Sequence, residues 1–378
     1  MGEFADLTEA VESCTMKSLS LGWYLTVVLA LAGCSSGNNG TSASNKATSN
    51  GADNGSSSVP GSSFSVGEPA MATGVVDVGS DSGAVTARMT AGLWDDNANF
   101  NVFLQYLANQ ATSYATSLPA FDSATTEAAH AASLQRSSSN AIDIALMLDT
   151  TGSMTDELSY LQTEFEGIST NVHQRFANVD IRWSLVVYRD AGDLYVTRSF
   201  DFTGDAVAFR TNLAAQSADG GGDEPEAVAT AFNETLARSW RGASAAQMLI
   251  WVADAPHHDA DTASVRDALA QSRARGIRIY PVAASSASQL AEATMRVAAQ
   301  TTGGRYQFLT DDSGIGNAHS EPKVPCYYVT TLAEGILRSV AMELSGKYVD
   351  PAPESIVRVV GKPVGDTCQN SGDAGTSQ

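Results

Sequence analysis

Three oxygen-bearing side chains stand at alternate positions where an apolar segment ends. The segment "AIDIALMLD" finishes at Asp149, and Thr151 and Ser153 follow it in "DTTGSM". A carboxylate and two hydroxyls are hard donors, which suit Mg2+, Mn2+ or Ca2+ better than zinc or copper. The same residue types also cap helices, so this stretch alone leaves a cation site and a simple cap both open.

Two further segments place acids at comparable positions. "GGGDEPEAV" precedes a helical pattern, and its glycines allow the backbone to approach an ion closely. "MLIWVADAP" puts Asp254 directly after a second apolar run. Ligands of a doubly wound sheet bind beyond the carboxyl ends of its strands, where the strand order reverses. If the strands ending at Asp149 and Asp254 are neighbours, both carboxylates therefore face one crevice.

The elements that must position these residues alternate regularly after Ala141. Apolar runs typical of buried strands are separated by segments with helical spacing, and "VDIRWSLVVYRD" and "LYVTRSFDF" are separated only by "AGD", which suits a hairpin. This pattern predicts an α/β fold, namely a doubly wound, mostly parallel sheet with one antiparallel edge strand and helices on both faces.

Composition limits the classes of function. The 378 residues are 43% hydrophobic, enough for a sizeable core in one large or two modest domains. The net charge of -20 argues against binding to nucleic acid, which requires clustered Lys and Arg.

The N-terminal region resembles a bacterial lipoprotein signal. Met16 and Lys17 precede the apolar run "LGWYLTVVLALAG", and the run is followed directly by Cys34. We expect translation to begin at Met16 and Cys34 to be lipidated; an ordinary signal peptide or an uncleaved anchor is the alternative. Ser35 is not the aspartate associated with inner-membrane retention, so we expect an outer-membrane location, with a Gram-positive host left open. In such an oxidising compartment Cys326 and Cys368 either pair or stay as thiols.

The motifs together resemble a von Willebrand factor A domain with its metal-ion-dependent adhesion site. "DTTGS", "YRD", "GGGD" with "PEA", and "WVAD" with "DAP" are similar to the bacterial and hemicentin-like branch. The resemblance implies a divalent cation held by Asp149, Thr151 and Ser153, with Asp254 acting directly or through water. The family's separate threonine ligand is missing, and the glycine loop offers Asp223 in its place, with Glu224 or Glu226 as alternatives.

The predicted organisation has six parts. They are a misassigned start at 1–15, a lipoprotein signal peptide at 16–33, the lipidated cysteine with a flexible Ser/Gly/Asn tether at 34–63, a small N-terminal extension at 64–139, a von Willebrand factor A-like domain at 140–345 and a C-terminal tail at 346–378.

We expect a cell-surface lipoprotein that binds a protein or envelope partner through its cation and is anchored to the membrane by lipid. Two alternatives remain. One is a metal-dependent hydrolase or phosphatase, for which the sequence offers no convincing general base. The other is a structural envelope protein in which the metal stabilises the fold.

Overall fold

A computed structural model describes residues 88–94, 97–133, 137–284, 286–314, 318–322, 324, 326–364 and 367–369. The predicted signal peptide, Cys34 and the tether lie outside these residues. The helices are α1 (Phe100–Ser113), α2 (Ser123–Ser133), α3 (Thr155–Arg175), α4 (Ala206–Ala214), α5 (Val228–Leu236), α6 (Thr262–Arg275), α7 (Gln289–Thr302) and α8 (Leu332–Ser345). The strands are β1 (Thr90–Leu93), β2 (Ala141–Asp149), β3 (Asp180–Tyr188), β4 (Thr197–Thr203), β5 (Ala246–Ala253), β6 (Ile277–Ala283), β7 (Gln307–Thr310), β8 (Tyr327–Thr331), β9 (Arg358–Val360), β10 (Lys362–Val364) and β11 (Thr367–Gln369).

Nine of the strands in the described residues form one sheet, in the order β4-β3-β2-β5-β6-β7-β1-β8-β9. The neighbours from β3 through β7 pair in parallel. At one edge β4 pairs antiparallel with β3, as the short connection between them predicts. The predicted fold class, a mostly parallel α/β sheet with helices on both faces, is confirmed.

The sheet has more antiparallel strands than the single edge strand that we expected. β1 lies between β7 and β8 and is antiparallel to both, and β9 is antiparallel to β8. All four residues of β1 are buried, so the segment shows none of the alternation that would have revealed a strand. Parts of the segments that we assigned to an extension and a tail therefore belong to the central sheet.

Both faces of the sheet are covered because the strands are apolar on both sides. Along β2 every residue is buried. Ile144, Leu146 and their neighbours on one face pack in a core with α3, α4 and α8. Ala145 and Met147 on the other face belong to a second core with α5, α6 and α7. Such two-sided burial is what a parallel sheet between helical layers requires.

The strand order reverses between β2 and β5. From β2 the chain continues outward to β3, whereas from β5 it continues in the opposite direction to β6 and β7. The loops that follow β2 and β5 therefore diverge and leave a crevice between them. Asp149 and Asp254 stand at its two sides.

A disulfide links C-terminal segments of the chain, and the described helices include no membrane span. A disulfide joins Cys326, which precedes β8, to Cys368 in β11, with a Cα–Cα distance of 5.9 Å. None of the described helices combines the length and the apolar character that crossing a membrane requires.

Candidate metal centre

Asp149 is the last residue of β2 and is fully buried. Its Oδ1 accepts hydrogen bonds from the backbone nitrogen of Thr151 at 2.9 Å and from Thr151 Oγ1 at 2.7 Å. Its Oδ2 is buried without a hydrogen bond of normal geometry, although the Tyr188 hydroxyl lies nearby. One carboxylate oxygen is thus fixed by the turn, whereas no described residue makes a hydrogen bond of normal geometry to the other.

Thr151 and Ser153 hold the turn between β2 and α3. Their hydroxyl oxygens are 3.3 Å apart, and neither the short turn at Gly152–Met154 nor α3 is capped by a side-chain hydrogen bond. The capping alternative is therefore not realised, because the threonine hydroxyl is turned towards Asp149 instead. Gly152 donates its N–H to the Gly220 carbonyl at 3.0 Å, and an added Cβ would lie only 2.9 Å from that oxygen. This contact ties the first turn to the glycine loop.

Asp254 follows β5 on the other side of the crevice. It is buried, and no described residue makes a hydrogen bond to its Oδ1. Burial raises the pKa of Asp254 to about 6. Ser153 and Asp254 line one cavity, so the turns after the neighbouring strands β2 and β5 approach each other.

Asp149 and Asp254 also interact through their charges. Burial, and then the negative charge of Asp254, raise the pKa of Asp149 to about 7. Two carboxylates raise each other's pKa when they are close and no cation separates them. The two side chains therefore lie close together, at the ends of the neighbouring strands β2 and β5.

The glycine loop forms the third side of the site. Gly220 and Gly221 have positive φ angles of 80° and 70°, a region that favours glycine. The loop is held by Asp193, whose Oδ2 accepts from the Gly221 N–H at 3.0 Å. Asp223 and Glu224 are exposed, whereas Glu226 is buried.

A cavity of about 270 Å³ lies between these three sides. Its polar lining comes from both turns and the glycine loop, and includes the residues Thr151, Ser153, Asp223, Glu224, Glu226, Asp254 and Ser286. Four of the five predicted cation ligands line it directly, and Asp149 stands behind Thr151. Asp223 is placed at the exposed rim.

The donor set fits a divalent cation that prefers oxygen. Asp149 Oδ2, Asp254 Oδ1 and Glu226 Oε2 are all buried without hydrogen-bond partners. Within the described part of the chain, no three His, Cys, Asp or Glu side chains are grouped as a metal site by themselves. A cation here would therefore use the hydroxyls of Thr151 and Ser153, with water, beside the carboxylates.

The sequence did not point to two acids near the site. Glu157 in the first turn of α3 is buried with both carboxylate oxygens unpartnered, and it contributes to the raised pKa of Asp254. Asp193 orients the glycine loop but stands in "AGD", which we assigned only to a hairpin connection. An acid at the start of a helix is ordinary, so nothing in the sequence signals the burial of Glu157.

Comparisons with known proteins agree with this architecture. Residues 143–320 match the family model described as von Willebrand factor A domain. The chain is 34% identical over 120 residues to a protein of Acanthamoeba polyphaga mimivirus described as an ariadne-like RING finger protein, covering 31% of this chain and 11% of the relative. It is 26% identical over 143 residues to the alpha-protein kinase vwkA of Dictyostelium discoideum, covering 37% of this chain and 23% of the relative.

The chain thus spans less than a quarter of the length of either curated relative. Among solved structures, the conserved hypothetical protein BatB from Bacteroides thetaiotaomicron matches with 12% identity and a TM-score of 0.37, over 53% of this chain and 98% of that one. The segment that carries both turns and the glycine loop, residues 143–320, is a von Willebrand factor A domain.

Proposed function

We propose that this protein binds a protein or cell-envelope partner through a divalent cation held between the turns after β2 and β5. The observation that carries the proposal is the pair of unpartnered oxygens, Asp149 Oδ2 and Asp254 Oδ1, buried at one crevice. Ionised carboxylates buried without a partner are costly, and a bound cation removes that cost.

In such a site, Thr151 and Ser153 would support the two carboxylates that bind the cation. Thr151 fixes the Asp149 carboxylate through two hydrogen bonds, so that only Oδ2 remains for the ion. Ser153 is exposed at the opening of the crevice, where it lines the same cavity as Asp254. When bound, the cation neutralises the buried carboxylates and offers an open coordination position to a partner. Mg2+, Mn2+ and Ca2+ are the candidates, because every donor is oxygen.

The proposed activity is binding rather than catalysis. The described residues that line the cavity supply hydroxyl and carboxylate oxygens and include no histidine that could act there as a general base. We expect no turnover of phosphomonoesters or simple esters with any of the three cations. Sustained turnover that Asp149→Asn abolishes would establish the hydrolase alternative instead.

A structural role for the metal is the second candidate, and the depth of the carboxylates favours it. Asp149, Glu157 and Glu226 are each at most 2% exposed. A metal that only stabilises the fold raises the melting temperature without any partner, and the partner then binds equally well in chelator.

The envelope location is part of the same proposal. It is supported by "LAGC" at the end of the apolar run and by the polar segment that follows. Metabolic labelling with a palmitate analogue in a bacterial host should mark the protein, and Cys34→Ser should remove the label. Labelling that survives this substitution would place the anchor elsewhere.

Differential scanning calorimetry tests the cation site directly. We expect Mn2+, Mg2+ or Ca2+ to raise the melting temperature of the full chain, and we expect Asp149→Asn to remove that rise. Retention of a partner on the immobilised protein should require the same cation and be lost in chelator. A melting temperature that no cation changes would contradict the proposal.

A further inference from the structure

We propose that Glu226, not Asp223, is the acid of the glycine loop that faces the cation, directly or through a water molecule. Asp223 and Glu224 then remain on the rim, where they meet the partner. This inference rests on the proposed function, and it assigns the position for which the sequence left three acids open.

The burial of the three acids separates them. Glu226 is 2% exposed, lines the same cavity as Thr151 and Asp254, and has its Oε2 buried without a hydrogen bond. Asp223 and Glu224 are exposed. A carboxylate in water is already solvated, whereas a buried one needs a compensating charge or donor. Of these three acids, only Glu226 therefore resembles Asp149 and Asp254 in having a buried carboxylate oxygen without a hydrogen bond.

The backbone fixes Glu226 beside Asp254. Its N–H donates to the Pro256 carbonyl at 2.8 Å, and it forms a parallel bridge with His257. Pro256 is two residues beyond Asp254, so the two acids are held on adjoining stretches of chain. These backbone contacts attach Glu226 directly to the loop after β5.

The glycine at position 221 leaves room for this carboxylate. A Cβ added to Gly221 would lie 3.0 Å from Glu226 Oε1 and 3.0 Å from Thr151 Cβ. The Glu226 carboxylate and the Thr151 side chain therefore approach the same glycine from two sides. This packing brings Glu226 next to the first turn and accounts for a glycine where a larger residue would force the two apart.

The negative charge of this face determines which partner side chains it attracts. Asp149, Asp254 and Glu226 together carry more negative charge than a divalent cation neutralises, and Asp223 and Glu224 add to it outside. A partner carboxylate would meet repulsion at this face, whereas a basic side chain would be attracted. The face therefore suits a partner that presents Lys or Arg to the rim and a neutral oxygen, such as a carbonyl, to the open coordination position.

Isothermal titration calorimetry of the full chain with Mn2+ tests the assignment. Glu226→Gln should weaken cation affinity about tenfold or more, because the number of charged ligands sets affinity at oxygen sites. Asp223→Asn and Glu224→Gln are matched controls in the same loop and should change affinity less than about twofold. The unloaded Glu226→Gln protein should melt at the wild-type temperature or higher, because the amide has nearly the same shape and carries no charge that needs a compensating partner.

The outcomes distinguish this inference from the proposed function. If the wild type binds no cation, the proposed function itself fails. If Asp149→Asn abolishes binding but Glu226→Gln keeps wild-type affinity, only the assignment of Glu226 is overturned. The same follows if Asp223→Asn weakens binding as much as Glu226→Gln does. A purely structural Glu226 would show itself by a lower melting temperature of the unloaded variant.

Discussion

Two buried aspartates at opposite ends of β2 have very different surroundings. Asp143 and Asp149 are both fully buried. Asp143 Oδ1 accepts from Arg182 Nε at 2.9 Å and Arg241 Nε at 2.8 Å, and its Oδ2 accepts from Arg182 Nη2 and the Arg241 backbone nitrogen. Among the described residues, Asp149 receives hydrogen bonds of normal geometry only at Oδ1, and no cationic side chain pairs with it. One strand thus holds a compensated charge and an uncompensated one.

The difference shows how a structural acid can be separated from a site acid. A buried carboxylate that serves the fold alone is paired within the chain, as Asp143 is. An unpaired one persists where another molecule or ion provides the missing charge, and perturbed acids cluster at such sites. In the proposed function, the carboxyl edge of this sheet depends on a bound cation, and the amino edge does not.

The largest expected effect concerns the compensated end. Asp143→Asn leaves two arginines facing each other without their shared carboxylate, and breaking a buried ion pair costs on the order of 3 kcal/mol. We expect urea unfolding to show this loss equally with Mn2+ and with chelator. A loss that depended on the cation would mean that the two ends of β2 are coupled, and that Asp143 does not act independently of the cation site.

A matched control is available on β3. Asp180 also pairs with Arg241, but its side chain is 70% exposed. Exposed ion pairs contribute about 0–1 kcal/mol, so Asp180→Asn should change stability little. Comparable losses for the two variants would show that burial at Asp143 is not what matters.

The uncompensated end should respond in the opposite direction. Asp149→Asn removes a buried charge that no side chain balances, so the unloaded protein should be as stable as the wild type or more stable. The stabilisation by cation should disappear, because the ligand charge is gone. Urea unfolding with and without Mn2+ measures both. A marked loss of stability in chelator would place Asp149 with Asp143 as a structural acid.

The pH dependence of the unloaded protein gives a smaller effect. The folded-state pKa of Asp149 is raised to about 7, and that of Asp254 to about 6. Between the unfolded value near 4 and these folded values, the folded state holds protons that the unfolded state has released. Stability in chelator should therefore fall as pH rises from about 4 to about 7, with less further loss from these two groups above that range. Asp149→Asn should reduce the fall.

The sequence predicted the positions of the main site residues because strand ends are readable. Apolar runs mark β2 and β5, and a doubly wound order brings Asp149 and Asp254 to one crevice. Whether the site holds a metal stays a prediction. The ligand types followed from short motifs that keep their geometry locally, as the hydrogen bond from Thr151 to Asp149 shows.

The remaining features depend on long-range contacts that composition does not encode. Glu226 and Glu224 look alike in "DEPEAV", yet Glu226, whose backbone bonds to Pro256, is buried and Glu224 is exposed. In the sequence, Asp143 is an isolated polar residue within an apolar strand. Its pairing with Arg182 and Arg241 is visible only in the structure. β1 takes its place in the sheet by pairing with strands more than 200 residues away in the sequence. A segment of four residues does not predict such a pairing.

Substitutions of Thr151 test whether its hydroxyl prepares the Asp149 carboxylate for a cation, and they should have the smallest effects. Thr151→Ser keeps the hydroxyl that donates to Asp149 Oδ1 and removes only a methyl group, so cation affinity by calorimetry should change less than about twofold. Thr151→Val keeps the shape but removes that donor, and a hydrogen bond to a charged group contributes about 1.5–3 kcal/mol. The valine variant should therefore bind cation at least about tenfold more weakly. If both variants bind alike, the Asp149 carboxylate is held by backbone alone, and the hydroxyl is not part of what prepares this end of β2 for an ion.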